Sequence, residues 1–334
     1  MCSFAQASLE DSRWPAEKAN AWYRDKAWPV GCNFLPSTAV NPIEMWNADT
    51  FDPKTIDKEL GWARDIGFNT VRVYVHFIVW QQDSEGLKDR MSDFFEIANS
   101  HGMTVMLVLF DDCFIQDPVI GKQLPPKPGV HNSRWSASPG RELRKKEHWD
   151  KLEEYTKDII GEFKDSSTIL VWDLYNEPWD ESLELVEAVF RWVRSAEPSQ
   201  PLTVSPFKQT YDGDASKRYL AISDVISFHC YNDLDDFREK MEICKGYGRP
   251  VFCTEWMART DQSRFETHLP VMKKNKVAAY NWGLVAGKTQ TYMPRRSKEG
   301  TPEPEEWFHD IFRKDGTPYD AKEVEFIKNT IKKK

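Results

Sequence analysis

Along the chain, short apolar and β-branched runs alternate with longer stretches of helical period. The runs are 30–35 (VGCNFL), 69–76 (NTVRVYVH), 103–110 (MTVMLVLF), 168–177 (TILVWDLYNE), 201–205 (PLTVS), 224–231 (DVISFHCY), 250–256 (PVFCTEW) and 277–283 (VAAYNWG). Each has the β-branched or aromatic content of a buried strand. Helical stretches lie between them at 54–66, 88–101, 146–163, 182–196, 234–245 and 263–274, and another closes the chain at 321–332. Asp52-Pro53 opens the first of these and Gly67 ends it, while Gly102 ends the second. Strands that alternate with helices pair in parallel through crossovers, and near-continuous apolar strands have both faces covered. Eight such units, with no GxGxxG turn after the first strand, predict a single α/β domain, a closed (β/α)₈ barrel and not an open doubly wound sheet.

Residues 1–29 are polar, with Trp14, Trp22 and Trp28 spaced through them, and read as a lead-in packed on the outside of a barrel spanning 30–334. Two connections are long, 111–145 after the third strand and 284–319 after the eighth. Both follow strands, so both belong to the C-terminal face, where barrel enzymes keep their sites.

That geometry directs attention to the strand ends. The second strand offers Arg72 and His76, the third Asp111 and Asp112, and the fourth Asn176 and Glu177, followed by Pro178 and Trp179. The sixth offers His229 and Tyr231, the seventh Glu255 followed by Trp256, and the eighth Asn281 and Trp282. Pro178 has no N–H for a ladder and biases Glu177 towards extended backbone, so the fourth strand is expected to stop with a carboxylate at its tip. Taken singly, Arg72 reads equally as an ion-pair partner, His229 as a satisfied core histidine and Trp282 as core. Gathered at one end of a barrel, they point to chemistry.

Glu177 and Glu255 end strands four and seven and are expected to face each other across the barrel mouth. Paired carboxylates across a cleft are what glycoside hydrolysis needs, one protonated to release the leaving group and one ionised to act at the sugar carbon. Arg72 near Glu255 would favour its charged form, and Tyr231 could donate a hydrogen bond to it. Asn176 suits a sugar 2-hydroxyl, and Trp282 offers an apolar ring to a sugar's C–H face.

Arg72, Asn176-Glu177-Pro178, His229-x-Tyr231, Glu255 and Trp282, on strands two, four, six, seven and eight, resemble the retaining β-glycosidases of clan A, most closely glycoside hydrolase family 5. The resemblance runs from about 30 to 282. It implies a two-step double displacement with Glu255 as nucleophile and Glu177 as acid/base, without a metal or other cofactor, and carboxyl groups about 5–5.5 Å apart. It implies a carbohydrate partner, a β-linked oligo- or polysaccharide of glucan, mannan or xylan type. Where that family usually carries a histidine near the end of strand three, this chain reads Phe110-Asp111-Asp112, and His131 and His76 are the candidates to replace it. Trp80, Trp135, Trp179, Trp256, Tyr292 and Trp307 lie in or beside the loops and are candidate sugar platforms.

Composition narrows the alternatives. Hydrophobic residues at 40% and aromatics at 13% are globular values. No apolar run approaches the roughly 20 residues that cross a bilayer. A net charge of -8 and a pI near 5.5 argue against a nucleic-acid partner, which calls for a basic patch. The one basic cluster, Lys332 to Lys334, reads as a solvated tail. Six cysteines without a CxxC disfavour a zinc site or a disulfide scaffold, and Cys32, Cys230 and Cys253 read as small hydrophobes in strands. Phe4-Ala5-Gln6-Ala7 resembles the small-residue end of a secretory signal, so a secreted or periplasmic location is expected, with the cytoplasm as the alternative. Two other functional readings stand beside the glycosidase. One is a metal-dependent barrel hydrolase using His76, Asp111, Asp112, His131 and His229, although no HxH or HxxxH pair is present. The other is a carbohydrate-binding barrel with a retired active site.

Overall fold

A computed structural model describes residues 8–206 and 213–333; the signal-like residues 4–7, Cys2 and the terminal Lys334 lie outside the described residues. Eight strands form one sheet: β1 Val30–Asn33, β2 Thr70–Tyr74, β3 Thr104–Asp111, β4 Ile169–Asn176, β5 Leu202–Ser205, β6 Ile226–Cys230, β7 Val251–Trp256 and β8 Ala278–Trp282. Neighbours run in the order β5-β4-β3-β2-β1-β8-β7-β6, and every ladder is parallel. The seam between β5 and β6 is drawn together by the Asp224 N–H donating to the Leu202 carbonyl at 2.8 Å and by Thr203 Oγ1 donating to the Val225 carbonyl at 2.8 Å. The sheet thereby curls into the expected single-domain (β/α)₈ barrel.

The helices are α1 Ala16–Arg24, α2 Pro42–Trp46, α3 Pro53–Asp65, α4 Phe77–Gln82, α5 Ser84–Ser100, α6 Trp149–Phe163, α7 Leu183–Ala196, α8 Asp214–Ile222, α9 Leu234–Lys245, α10 Phe265–Lys274 and α11 Ala321–Lys332. Asp52 caps α3 by accepting from the Thr55 N–H, with Pro53 in the first turn where its missing N–H costs nothing. Asp83 caps α5 by accepting from the Gly86 N–H, which starts that helix four residues before the periodicity did. Three helices, α2, α4 and α8, were not read from the sequence. Phe77-Ile78-Val79-Trp80 of α4 looks like a continuing strand, yet its rings pack on Tyr155 of α6 at 5.6 and 5.5 Å. In α8 the polar residues crowd the first half, and a short apolar side of Tyr219, Leu220 and Ile222 is buried along with Ser216.

Inside the barrel, side chains stack in layers. The lowest is apolar: Met106, Val171, Phe252, Ala278 and Tyr280. Trp22 and Tyr23 of α1 pack against it, with the Tyr23 ring 5.4 Å from Phe252 and its hydroxyl donating to the Lys276 carbonyl at 2.8 Å. The lead-in therefore stoppers the base of the barrel, where the expectation was a segment lying on its outside. Above the apolar layer the interior turns polar, and this second layer supports the mouth.

Candidate active site

Arg72 stands at the centre of the polar layer, fully buried. Its Nε and Nη2 donate to Asp173 Oδ2 at 2.9 and 2.7 Å, and Nη2 also donates to Asn176 Oδ1 at 2.7 Å. Its Nη1 reaches Asn33 Oδ1 at 2.8 Å and Glu255 Oε1 at 3.0 Å. Burial opposes the charge on Arg72, but Tyr74, Asp173 and Glu255 outweigh it and keep the guanidinium charged. Removing the cation leaves two buried acids facing each other's field. Arg72→Met is expected to destabilise the fold by about 3–5 kcal/mol, read from urea unfolding midpoints at constant slope.

Glu255 ends β7 with donors on both oxygens. Oε1 accepts from Arg72 and from the Tyr74 hydroxyl at 2.9 Å, and Oε2 accepts from the Tyr231 hydroxyl at 2.7 Å. Burial alone would push this carboxyl up. The neighbouring His229 and Arg72, with the hydrogen bonds from Tyr231 and Tyr74, override burial and hold it below the ordinary carboxylate range. Glu255 is thus kept ionised.

Glu177 sits opposite, immediately after β4. Its φ is +44°, a left-handed conformation and not the extended one expected before proline. The reason lies in the ladder: β4 shifts register against β5 between Asp173 and Asn176, and the Glu177 N–H is then caught by the Ser205 carbonyl at 2.7 Å. A non-glycine residue held there costs on the order of 1–3 kcal/mol, a strain that clusters at functional sites. The carboxylate accepts from Cys113 Sγ at 3.2 Å and pairs with His229 Nδ1 at 2.7 Å. His229 Nδ1 also lies 3.5 Å from Glu255 Oε2, and one oxygen from each glutamate and that nitrogen all fall within 4.8 Å of one another. The two carboxyls therefore face each other at close range, with an oxygen of each within 4.8 Å of one on the other.

The two aspartates at the end of β3 are supports. Asp111 accepts from Asn176 Nδ2 at 2.9 Å, from Trp135 Nε1 at 2.6 Å and from the Cys113 N–H at 3.0 Å, and burial lifts its carboxyl to about 7 despite those bonds. It fixes the Asn176 amide between itself and Arg72. The Asp112 carboxylate is taken up by protein partners, accepting from the Tyr175 and Ser182 hydroxyls at 2.8 and 2.6 Å and from the Trp179 N–H at 2.9 Å, and pairing with Arg144 at 2.7 Å. It anchors the loop that carries Trp179.

Above these groups opens a cleft of 580 Å³. Of the residues singled out by sequence, Asp112, His131, Trp135, Asn176, Glu177, Trp179, His229, Tyr231, Glu255 and Trp282 line it, and Arg72 lies beneath its floor. Trp256 does not reach it. One residue past the inward-facing Glu255, it points outward, stacked on His268 at 6.0 Å and edge-on to Phe265 at 5.0 Å. Trp80 is core as well, its indole donating to Asp158 at 2.7 Å, while Tyr292 and Trp307 pair with each other around a separate depression. His76 also stays out of the cleft: its Nε2 donates to the Ala137 carbonyl at 3.0 Å, and Nδ1 accepts from the Ile78 N–H to start α4. His131 does line the cleft. It donates from Nδ1 to the Met293 carbonyl at 2.7 Å, and burial, aided by nearby Arg295, pushes it down to about 4, so the ring is neutral.

His76, Asp111 and Asp112 are each held by protein partners, so the metal-centre set of the sequence reading does not converge. Among the described residues the one close trio of such donors is Glu177, His229 and Glu255. Several site residues were not read from the sequence. Tyr74 shares a strand face with Arg72, and Asp173 is a lone acid in an apolar strand that demands a buried partner; both left a signal. Cys113 and Arg295 left none, because their positions depend on how the two long connections fold. Burial, with the charges of Asp111, Glu177 and Glu255, pushes the Cys113 thiol well up, so it stays a proton donor. Arg295 places its guanidinium 4.1 Å from the Tyr231 ring centroid.

Solved structures share this fold at low identity. GH5_18 from Streptomyces cattleya, in complex with GlcNAc, is 14% identical with a TM-score of 0.60, over 91% of this chain and 79% of its own. The hyperthermostable endo-1,4-β-D-mannanase from Thermotoga petrophila RKU-1 is 15% identical with a TM-score of 0.59, over 91% of this chain and 99% of its own. The exo-β-1,4-mannosidase Op5Man5 from Opitutaceae bacterium strain TAV5 is 16% identical with a TM-score of 0.61, over 91% of this chain and 59% of its own. No curated protein matches the sequence. The family model described as cellulase (glycosyl hydrolase family 5) matches residues 36–287, about three-quarters of the chain. The chain belongs to glycosyl hydrolase family 5, and it is a glycosidase acting on the O-glycosyl bonds of β-glycans.

Proposed function

We propose that the enzyme is a retaining β-glycosidase working by double displacement, with Glu255 as nucleophile and Glu177 as acid/base. The observation that carries the reading is the unequal dress of two carboxyls that lie within reach of one sugar carbon. Glu255 has three donors, one of them a buried cation, which favour a carboxylate ready to attack the anomeric carbon. Glu177 has a histidine and a thiol, and its side chain is the more exposed of the two, at 16% against 7%. In the first half-reaction Glu255 bonds to C1 while Glu177 gives its proton to the departing oxygen. In the second Glu177 takes a proton from water, which attacks C1 and frees Glu255. Asn176, gripped by Arg72 and Asp111, is oriented towards a 2-hydroxyl, and such a bond strengthens in the oxocarbenium-like transition state. Trp282 and Trp135, edge to face at 5.3 Å, offer an apolar floor for the ring. The mannanase and mannosidase among the similar structures make β-mannosides the first substrates to assay, with glucan and xylan oligosaccharides beside them.

Proton NMR of the first product formed tests the stereochemistry. Retention of the β-anomer is expected, and an initial α-anomer would overturn the double displacement.

The pH profile follows from Glu255. A carboxyl held below its ordinary value stays ionised until the pH falls through that lowered value, so the acid limb of kcat/KM is expected below the ordinary carboxylate range. Tyr231→Phe removes the 2.7 Å donor to Oε2, a bond that lowers this group. The acid limb of the variant should move to higher pH, and kcat/KM at the optimum should fall by about 10- to 100-fold. An unmoved limb in a pH–rate series would separate Tyr231 from the nucleophile.

A further inference from the structure

We propose that the cleft is closed at its glycone end, so that the enzyme removes sugars from chain ends and does not cut within a glycan. The inference rests on the roles assigned to Glu177 and Glu255. With C1 between the two carboxyls, the leaving group lies on the Glu177 side, above β4, and the ring being cleaved extends the opposite way, over Trp282 and Trp135. In the barrel β2 and β1 stand between β3 and β8, so a further glycone ring would have to leave across the mouths of β2 and β1.

That exit is occupied. The connections after β3 and β8 meet across it and are stitched together. The Asn132 N–H donates to the Thr289 carbonyl at 2.7 Å, His131 Nδ1 to the Met293 carbonyl at 2.7 Å, and the Gly300 N–H to the Pro128 carbonyl at 2.9 Å. The Gln290 amide is a two-sided clip, accepting from the Gly129 N–H at 2.8 Å and donating to the Lys127 carbonyl at 2.8 Å. The approach is close enough that a Cβ added to Gly129, whose φ is +76°, would stand 2.3 Å from the Thr301 carbonyl oxygen. The connection after β1 is tied into the same wall from behind, by Asn41 Nδ2 donating to the Arg134 carbonyl at 2.9 Å and by Lys288 pairing with Glu44 at 2.6 Å.

The consequence is visible in what lines the cleft. Its described residues come from the connection after β3, from β4 and β6 and the residues that follow each, from β7, and from β8 and its connection; among the described residues none comes from the connections after β1 or β2. A groove that threads a polymer needs a way out at both ends. This one has a wall of hydrogen-bonded backbone beyond His131 and Asn132, while on the leaving-group side it is lined by Phe114, 56% exposed, and the half-buried Trp179.

The test uses aryl β-glycosides with glycones of one to four β-1,4-linked units in the manno, gluco and xylo series, with aryl release followed optically and the remaining oligosaccharides by mass spectrometry. Aryl release is expected from the shortest glycones, with kcat/KM at least tenfold lower for the tetraoside. The tetraoside should instead lose units stepwise from its non-reducing end with the aryl group still attached. Aryl release that rises with glycone length, or internal cleavage of the tetraoside as the first event, would overturn end-directed action while leaving the catalytic pair intact. Absence of turnover across the whole set would remove the catalytic assignment itself, and this inference with it.

Discussion

Glu255→Ala is expected to lower kcat/KM by at least about 10⁴-fold, some 5.5 kcal/mol of transition-state stabilisation, on every substrate. The loss is uniform because both half-reactions pass through the bond between Glu255 and C1, whatever the leaving group. It should not come from unfolding. Arg72 keeps its bonds to Asp173, Asn176 and Asn33, the Tyr74 oxygen still accepts from Arg72 Nη1, and the Tyr231 hydroxyl lines a cleft that water can enter. The far-UV circular dichroism and urea midpoint of the variant are the control, and a variant that stayed active with wild-type kcat would remove Glu255 from the nucleophile role.

Glu177→Ala should divide substrates by their leaving groups. Activated aryl glycosides leave without a proton, so the first half-reaction on them should change by less than about tenfold, while sugar and alkyl leaving groups should lose about 10²- to 10⁴-fold. The second half-reaction also slows, since water has lost its base, and the glycosyl-enzyme should accumulate as a burst on activated substrates. Added azide needs no base, so it should restore turnover and yield a β-glycosyl azide. Equal losses on good and poor leaving groups would contradict the acid/base role of Glu177.

Much of this site was legible because a parallel barrel concentrates chemistry at one predictable place on each strand. The runs that end in Asn176-Glu177, His229-x-Tyr231 and Glu255 each switch from apolar to polar at the residue where the strand reaches the mouth, and the structure gathers all of them around one cleft. Alternation along a strand carried more than was taken from it. If Glu255 points in, Trp256 must point out, and if Arg72 points in, Tyr74 does too. The backbone of Glu177 was not legible, since the register shift of β4 against β5 decides its φ and overrides the preference set by Pro178. Nor were Cys113, Arg295 or the burial of His131 beside Arg295. Those depend on hydrogen bonds such as that from His131 to Met293, 162 residues apart, which local pattern does not encode. The lead-in shows the same limit: its tryptophans announced burial but not that Trp22 and Tyr23 would close the barrel's base.

The central claim is that Glu255 forms a covalent bond to the sugar. A 2-deoxy-2-fluoro glycoside with an activated leaving group slows the second half-reaction more than a good leaving group slows the first, so the intermediate persists. Peptide mapping by mass spectrometry after such treatment should find one fluoroglycosyl unit per chain, attached to Glu255. A label on Glu177 or on any other residue would contradict the account.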